Sequence, residues 1–433
     1  MEMTVEQDAK DKLSQEQLEA LVKIHNRFLA GRIGGRRAVL RNADISGLSL
    51  QGHSLQQAEF IGCNMTGMNL QSANFQEASL YACDLSNSNL INTVFIRADL
   101  RGARIENAHL QGADLEKADL RVGGIRTADG SSKTNAVNFR GANLSGARLM
   151  GSVASKADFS DANLKDTNMC GADLRGAMLE GADLTNADIG GSQLEGASFK
   201  SAILMNVEIE RIAAVGADME DAVTEVNIGQ SIADLGEPLA KLLEYHAAWL
   251  TSAGKKGEQL DLSNVDMRTL ESLKKVSLTA IKAINTKFFG MNMYQVQLQS
   301  AVLNKSDFRN CDMEEADLRG SSFVDTNFSH TNLKGVNAVA LMFGAGDATK
   351  RFNPCDFTRS KLRYADLQGG QFKSAIFKDA DLSYANLRGA DLRDADFTGA
   401  KMDGVDLDGA LTEGAIIPKS DKPVFQLNRN SSE

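Results

Sequence analysis

Residues 40–125 read LRNADISGLSLQGHSLQQAEFIGCNMTGMNLQSANFQEASLYACDLSNSNLINTVFIRADLRGARIENAHLQGADLEKADLRVGGI. Every fifth residue from Leu40 is large and apolar, through Ile45, Leu50, Leu55, Phe60, Met65 and onward to Leu115, Leu120 and Ile125, 18 positions without an exception. In a chain that is 42 % apolar, chance gives such a run on the order of once in ten million. The residue two places earlier is usually small, as at Ala43, Ala58, Ala73, Ala98, Ala113 and Ala118. Between the two sits a polar residue, often Asp or Asn, as at Asp44, Asn74, Asp84, Asp99, Asp114 and Asp119. The unit is therefore A-(D/N)-L-x-x. A period of five is neither the 3.6 of a helix nor the 2 of a strand. It fits a chain that turns a corner every five residues, with one large and one small apolar residue pointing inward on each side.

The pattern breaks and resumes. From Ile125 the next centre is Phe139, 14 residues on, and the run continues to Met219. A second array starts at Leu262 and Met267, slips one residue to Leu273 and runs to Ala338. Another step of 14 leads to Phe352, and the last run goes through Phe357, Phe377 and Phe397 to Ile417, with Thr412 as its exception. A step of 14 in place of five predicts a projecting loop of about nine extra residues in each half, at about 126–136 and about 339–351. Centres 20 apart should stack on successive coils, about 4.8 Å apart, so Phe357, Phe377 and Phe397 form one ladder and Phe75 and Phe95 another.

The two arrays read as copies, each preceded by a helical segment. Placing His25 on His246 also pairs Leu18 with Leu239, Leu21 with Leu242, Phe28 with Trp249 and Leu29 with Leu250. Leu18, Leu21, Val22, Phe28 and Leu29 share one amphipathic face, and Gly31 and Gly254 read as helix stops. The open end of a strand stack invites edge pairing, so terminal caps are expected. Residues 14–30 are read as the cap of the first array and 236–251 as that of the second, with His25, Phe28, His246 and Trp249 as the capping contacts. The expected division is 1–38 tail and capping helix, 39–221 first array, 222–258 linker and second capping helix, 259–417 second array and 418–433 polar tail. That tail shows no helix, so the C-terminal end is expected to be exposed and able to pair with a second copy.

Little in the chain points to chemistry. Five Cys and five His show no ligand spacing, so no metal or cofactor is expected. No nucleophile elbow, P-loop, Rossmann fingerprint or HExxH is present, and GRIGG at 31–35 is read as a helix stop. The Asp residues recur around the perimeter and do not converge, so no catalytic residue and no enzyme activity are expected. Cys63 and Cys83, 20 apart, should be reduced, stacked small residues of the interior. No apolar run reaches the roughly 18 residues of a membrane span, and MEMTVEQDAKDKLSQEQ does not read as a signal peptide. A cytoplasmic chain with no membrane association is the expectation. The net charge of −10 argues against direct nucleic-acid binding.

The repeat resembles the pentapeptide-repeat family over about three quarters of the chain. The resemblance implies an all-β solenoid, a right-handed quadrilateral β-helix with four pentapeptides per coil, here as two arrays in tandem with short capping and linker helices. It also implies a non-enzymatic bacterial protein that acts by binding. Some members are acidic DNA mimics that bind DNA gyrase, some with loops projecting from the coil, so gyrase or a related type II topoisomerase is one implied partner. Residues 137–221 carry seven cationic and thirteen acidic side chains, about −1.5 per coil, roughly half of the nearly three charges that duplex DNA carries per 4.8 Å. The preferred reading is a rigid protein-binding scaffold with an unknown protein partner. Loop residues Arg126, Lys133, Lys350 and Arg351 are its candidate contacts. A self-assembling spacer is the third reading.

Overall fold

In the computed structural model, the structure describes residues 12–126, 132–226, 229–270, 272–343 and 351–418. The chain divides into two compact units, Met1–Asn227 and Ile228–Glu433. The elements are α1 (Gln15–Leu29), β1 (Val39–Arg41), β2 (Glu59–Ile61), β3 (Gly123–Arg126), β4 (Ser132–Asn135), α2 (Ile209–Ala214), β5 (Gln230–Ser231), α3 (Leu239–Thr251), β6 (Val265–Asp266), β7 (Leu341–Phe343) and β8 (Arg351–Asn353).

These named strands are a small part of the sheet structure. Most pairing is a ladder of single parallel bridges between residues 20 apart, at five-residue intervals: Asp44↔Asn64, Ser49↔Asn69, Ser54↔Asn74, Glu59↔Ser79. Four bridges per 20 residues make a coil with four short sides, so the chain folds as a repeat β-helix. Each corner is a four-residue turn, as where the Ala73 N–H donates to the Leu70 carbonyl at 3.0 Å. The third residue of the turn is left-handed, as in Ser72 with φ 57° and Gly67 with φ 65°. That requirement explains the recurrence of Gly, Asn and Asp at the second x of the unit.

The Asp or Asn before each centre has a structural task. Its side-chain oxygen accepts the N–H two residues on: Ser46 to Asp44 at 2.9 Å, Gln76 to Asn74 at 2.9 Å, Glu116 to Asp114 at 3.0 Å. This turn-closing bond holds the chain as it enters the corner. The centres are buried along the coils and only partly so near the end of each unit, at Met219, Met402 and Leu407. Inward hydroxyls and thiols donate to a carbonyl of the preceding coil, as Thr93 does to Leu70 at 2.8 Å and Cys83 to Phe60 at 3.2 Å, or to the carbonyl three residues back, as Thr167 does to Leu164 at 2.7 Å. Cys63 and Cys83 are both buried and free.

Phenylalanines 20 apart stack: Phe288 on Phe308 at 4.7 Å, Phe308 on Phe328 at 5.1 Å, Phe357 on Phe377 at 4.9 Å and Phe377 on Phe397 at 4.8 Å. The one-residue slip is absorbed in a single coil, since Asp261↔Lys282 and Asp266↔Lys287 are 21 apart and Ser272↔Asn292 is again 20.

Three details depart from the expectations above. Ile125 is not a coil centre but part of β3, and Phe352 lies on β8 with 57 % of its surface exposed. Bridges that span the interruptions, Arg104↔Asn138 and Ser322↔Asp356, are 34 apart. Each insertion is thus 14 residues, not nine, and both are β-hairpins: β3 with β4 and β7 with β8, each antiparallel. The expected run of centres to Met219 is broken by α2, with Ile212 buried, although the bridges Ser198↔Asp218 and Ile203↔Val223 keep the 20-residue register. Two left-handed residues end α3, Ala253 with φ 51° and then the expected Gly254 with φ 82°.

Candidate functional site

Two surface features stand apart from the repeat: the helix that precedes each array's first coil, and the two hairpins.

α1 starts with a capping box, Ser14 bonding the Gln17 N–H and the Gln17 side chain returning to Ser14. Before it, Lys12 bridges Asp44 in parallel and the Leu13 N–H donates to the Asp44 carbonyl at 2.9 Å. The Gln15 amide donates to the Ser49 carbonyl and accepts its N–H, both at 2.9 Å, as a neighbouring strand would. Leu13, Leu18 and Val22 join the core of the first unit. The fully buried His25 accepts the Ala38 N–H on Nδ1 at 3.1 Å. His246 is used in the same way: its Nδ1 accepts the Leu260 N–H at 3.0 Å and its Nε2 bonds the Thr279 carbonyl at 2.8 Å. Phe28, placed by its spacing on the apolar face, is instead 37 % exposed and stacks on His25 at 5.7 Å. The half-buried Trp249 stacks on His246 at 5.6 Å.

Burial holds the His25 pKa below its ordinary value, and the Arg37 charge pushes the same way against the nearby Gln56 backbone. An imidazole that accepts on Nδ1 must be neutral there. With the folded pKa lowered, the stabilisation is complete above the unfolded value of about 6.5 and is lost as pH falls below it. Thermal unfolding of the first unit should therefore drop more steeply between about pH 7 and about pH 5 in the wild type than in His25→Gln, which keeps an acceptor but cannot titrate. Parallel curves for the two proteins would exclude this coupling.

Each hairpin is fastened at its base. The Tyr81 hydroxyl donates to the Gly124 carbonyl and accepts the Gly124 N–H, both at 2.7 Å, while the Arg101 guanidinium lies 5.3 Å over the Tyr81 ring. In the second hairpin the Asn353 side chain donates to the Gly320 carbonyl at 2.6 Å. Gly102 and Gly320 are left-handed corner residues that these strands cross closely. A Cβ on either would sit 3.0 Å from Gly123 or from Leu341. On β7 and β8, Met342 and Phe352 are directly paired and are 60 % and 57 % exposed. Of the four basic residues expected at the loops, Arg126 and Lys133 lie on β3 and β4 and Arg351 on β8, while Lys350 lies outside the described residues. The five-residue count hides the Met342–Phe352 pair, because Phe352 falls in step with the array.

The acidic groups are largely engaged locally. A carboxylate and the arginine two residues on pair in Asp99–Arg101, Asp119–Arg121, Asp173–Arg175, Asp317–Arg319 and Asp391–Arg393. In Asp307–Arg309 the pair is buried. Burial pushes the Asp307 carboxyl up, but the Arg309 guanidinium outweighs it and holds the group below the usual range. Among the described residues no group of three or more His, Cys, Asp or Glu is placed to hold a metal ion, and no described helix is long and apolar enough to cross a membrane.

Comparisons with known proteins agree with this geometry. The family model described as pentapeptide repeats matches eight copies over residues 135–221, 297–335 and 352–411, and that of a pentapeptide repeat region matches 37–129. No curated protein sequence matches the chain. Among solved structures, full-length QnrB1, a plasmid-mediated fluoroquinolone resistance protein, is 23 % identical, with 43 % of this chain and 84 % of that one covered and a TM-score of 0.20. HetL, a pentapeptide repeat protein involved in heterocyst differentiation regulation from the cyanobacterium Nostoc sp., is 19 % identical, with 91 % and 95 % covered and a TM-score of 0.15. A pentapeptide repeat protein from the Arabidopsis thaliana thylakoid lumen is 26 % identical, with 32 % and 80 % covered and a TM-score of 0.12. With family models matching well over half of the sequence, the chain belongs to the pentapeptide-repeat proteins.

Proposed function

We propose that this protein is a non-enzymatic scaffold: two right-handed, four-sided β-helices at about 39–221 and 259–417, capped at their starts by α1 and α3, that present the two hairpins to a protein partner. The observation that carries the reading is the second hairpin. Its base is fixed to the coil, and it holds Met342 and Phe352 side by side in solvent. A rigid, exposed aromatic–thioether pair is the kind of anchor that concentrates binding energy. Basic residues at the hairpins, Arg126, Lys133, Lys350 and Arg351, would complement an acidic partner.

The alternative, an acidic DNA mimic acting on gyrase or a related topoisomerase, draws support from the net charge of −10. It is weakened by the arginines that pair with many of the carboxylates. Homodimer formation through the last coil is compatible with Leu411 and Ile416, 45 % and 58 % exposed there.

Affinity capture at low and high salt, with wild type and with Met342→Ser/Phe352→Ser, tests the proposal. Loss of an aromatic anchor typically costs about 2 kcal/mol or more, roughly 30-fold in affinity, so the double variant should release the partner while its thermal midpoint stays unchanged. Retention of topoisomerase subunits at low salt only, equally by both proteins, would favour the mimic instead.

A further inference from the structure

The segment from Lys23 to Arg41 is densely basic in an acidic chain. It holds Lys23, Arg27, Arg32, Arg36, Arg37 and Arg41 and no acidic residue, in a chain of net charge −10. All six side chains are exposed. Arg37 and Arg41 share one carboxylate, Glu59. Arg27, Arg32 and Arg36 form no ion pair with any described residue.

In the middle of this segment stands Ile33, 100 % exposed. Its position is built. α1 ends in a Schellman motif: the Gly31 N–H donates to the Phe28 carbonyl at 3.0 Å and the Arg32 N–H to the Arg27 carbonyl at 2.9 Å. The next turn closes from the Gly35 N–H to the Arg32 carbonyl at 3.0 Å, with Gly34 left-handed at φ 77°. Gly35 lies so close to the Arg27 and Phe28 backbone that no Cβ fits there. The turn is thus pinned to the helix with Ile33 at its apex, and the partly exposed Phe28 lies nearby on the helix.

We propose that this turn docks the protein on an anionic phospholipid surface, with Ile33 entering the headgroup–acyl boundary and the arginines meeting lipid phosphates. A fixed apolar tip among exposed cations, with Arg27, Arg32 and Arg36 in no ion pair with a described residue, is the combination that peripheral membrane binding requires. Duplex or single-stranded nucleic acid would use the arginines but has no use for Ile33, which offers neither a flat face to stack nor a polar atom to read a base. Six exposed cations spread over 19 residues suit a fluid layer of headgroups better than one protein groove. The coil carboxylate beside the patch, Glu59, is matched by both Arg37 and Arg41, and charges beyond a Debye length of about 8 Å are screened at physiological salt. This departs from the expectation of no membrane association, which rested on the absence of a spanning segment.

The test is co-sedimentation of the full chain with vesicles of phosphatidylcholine alone and of phosphatidylcholine mixed with phosphatidylglycerol. Binding should occur only on the anionic vesicles and fall with salt. Arg32→Gln and Arg36→Gln should each weaken it about fivefold, the effect of one cation near an anionic surface. Ile33→Asp should weaken it about tenfold or more with no change in thermal midpoint, since the side chain touches nothing. Absence of binding, equal binding to neutral vesicles, or an Ile33→Asp variant that binds like wild type would overturn the proposal. Displacement from vesicles by duplex DNA together with indifference to Ile33→Asp would reassign the patch to phosphates alone.

Discussion

Phe308→Ala is expected to destabilise the second unit by about 3–5 kcal/mol. Phe308 is fully buried, stacked between Phe288 and Phe328 at 4.7 and 5.1 Å and met edge-on by Phe323 at 6.1 Å. Truncation removes its transfer energy and leaves a cavity that the coils above and below cannot close, because their spacing is fixed by the hydrogen-bond ladder. Each lost ring pair adds about 0.5–1.5 kcal/mol. Coils touch only their neighbours, so the damage is confined to one array. Trp249 is the chain's one tryptophan and sits on α3, whose Leu239, Leu242 and Leu243 pack on the second unit's core. Its fluorescence in a urea titration therefore reports that unit. A surface substitution such as Lys373→Ala, at an exposed position, should stay within about 0.5 kcal/mol. A Phe308→Ala shift equally small would mean that the ladder is not the close-packed core described here.

The same ladder shows what a single chain of letters can carry. The centres, the small residues opposite them and the 20-residue stacking are legible because each repeats and each is fixed by local physics. What escapes notice escapes for one reason. Ile125, Ile209 and Phe352 are apolar and in step with the five-residue count, yet the first and last lie on hairpins and the second opens α2. The centre column alone cannot reveal this. Nor can the column before it: Gly124, Glu208 and Arg351 stand where a repeat often places its turn-closing Asp or Asn, but Arg104, Val153, Met178 and Lys282 stand there on intact coils. The fastening of a hairpin by Tyr81 is out of reach, because its partner Gly124 is 43 residues away and no periodicity links them.

Charge has a similar blind spot. Counting residues makes the arrays acidic. It cannot show that many of the aspartates serve turn chemistry, each carboxylate closing its own turn and, in pairs such as Asp99–Arg101 and Asp391–Arg393, an arginine two places on holding its other oxygen. Such exposed pairs add little stability, about 0–1 kcal/mol, but they break up a negative face.

The hairpins can be tested without touching their own residues. At Gly102→Asn the left-handed backbone is no obstacle, since Asn occupies the same corner position at Asn42, Asn87 and Asn92 with φ 52–60°. The obstacle is space: the new Cβ would lie 3.0 Å from the Gly123 Cα and close to its backbone on both sides. The coil is held by its bridges, so the hairpin base must give way, at a cost of about 1–3 kcal/mol. That movement would pull Gly124 from the Tyr81 hydroxyl. Gly52→Asn, at a corner with nothing within 4 Å, controls for the change of residue type. Limited proteolysis should then cut Gly102→Asn within residues 121–137 much faster than wild type, with the rest of the first array intact, while Gly52→Asn is cut like wild type. Equal cutting in all three would show that the Gly102–Gly123 approach does not hold the hairpin down. If the hairpin is cut faster but partner capture is unchanged, the binding role falls to the Met342–Phe352 hairpin alone.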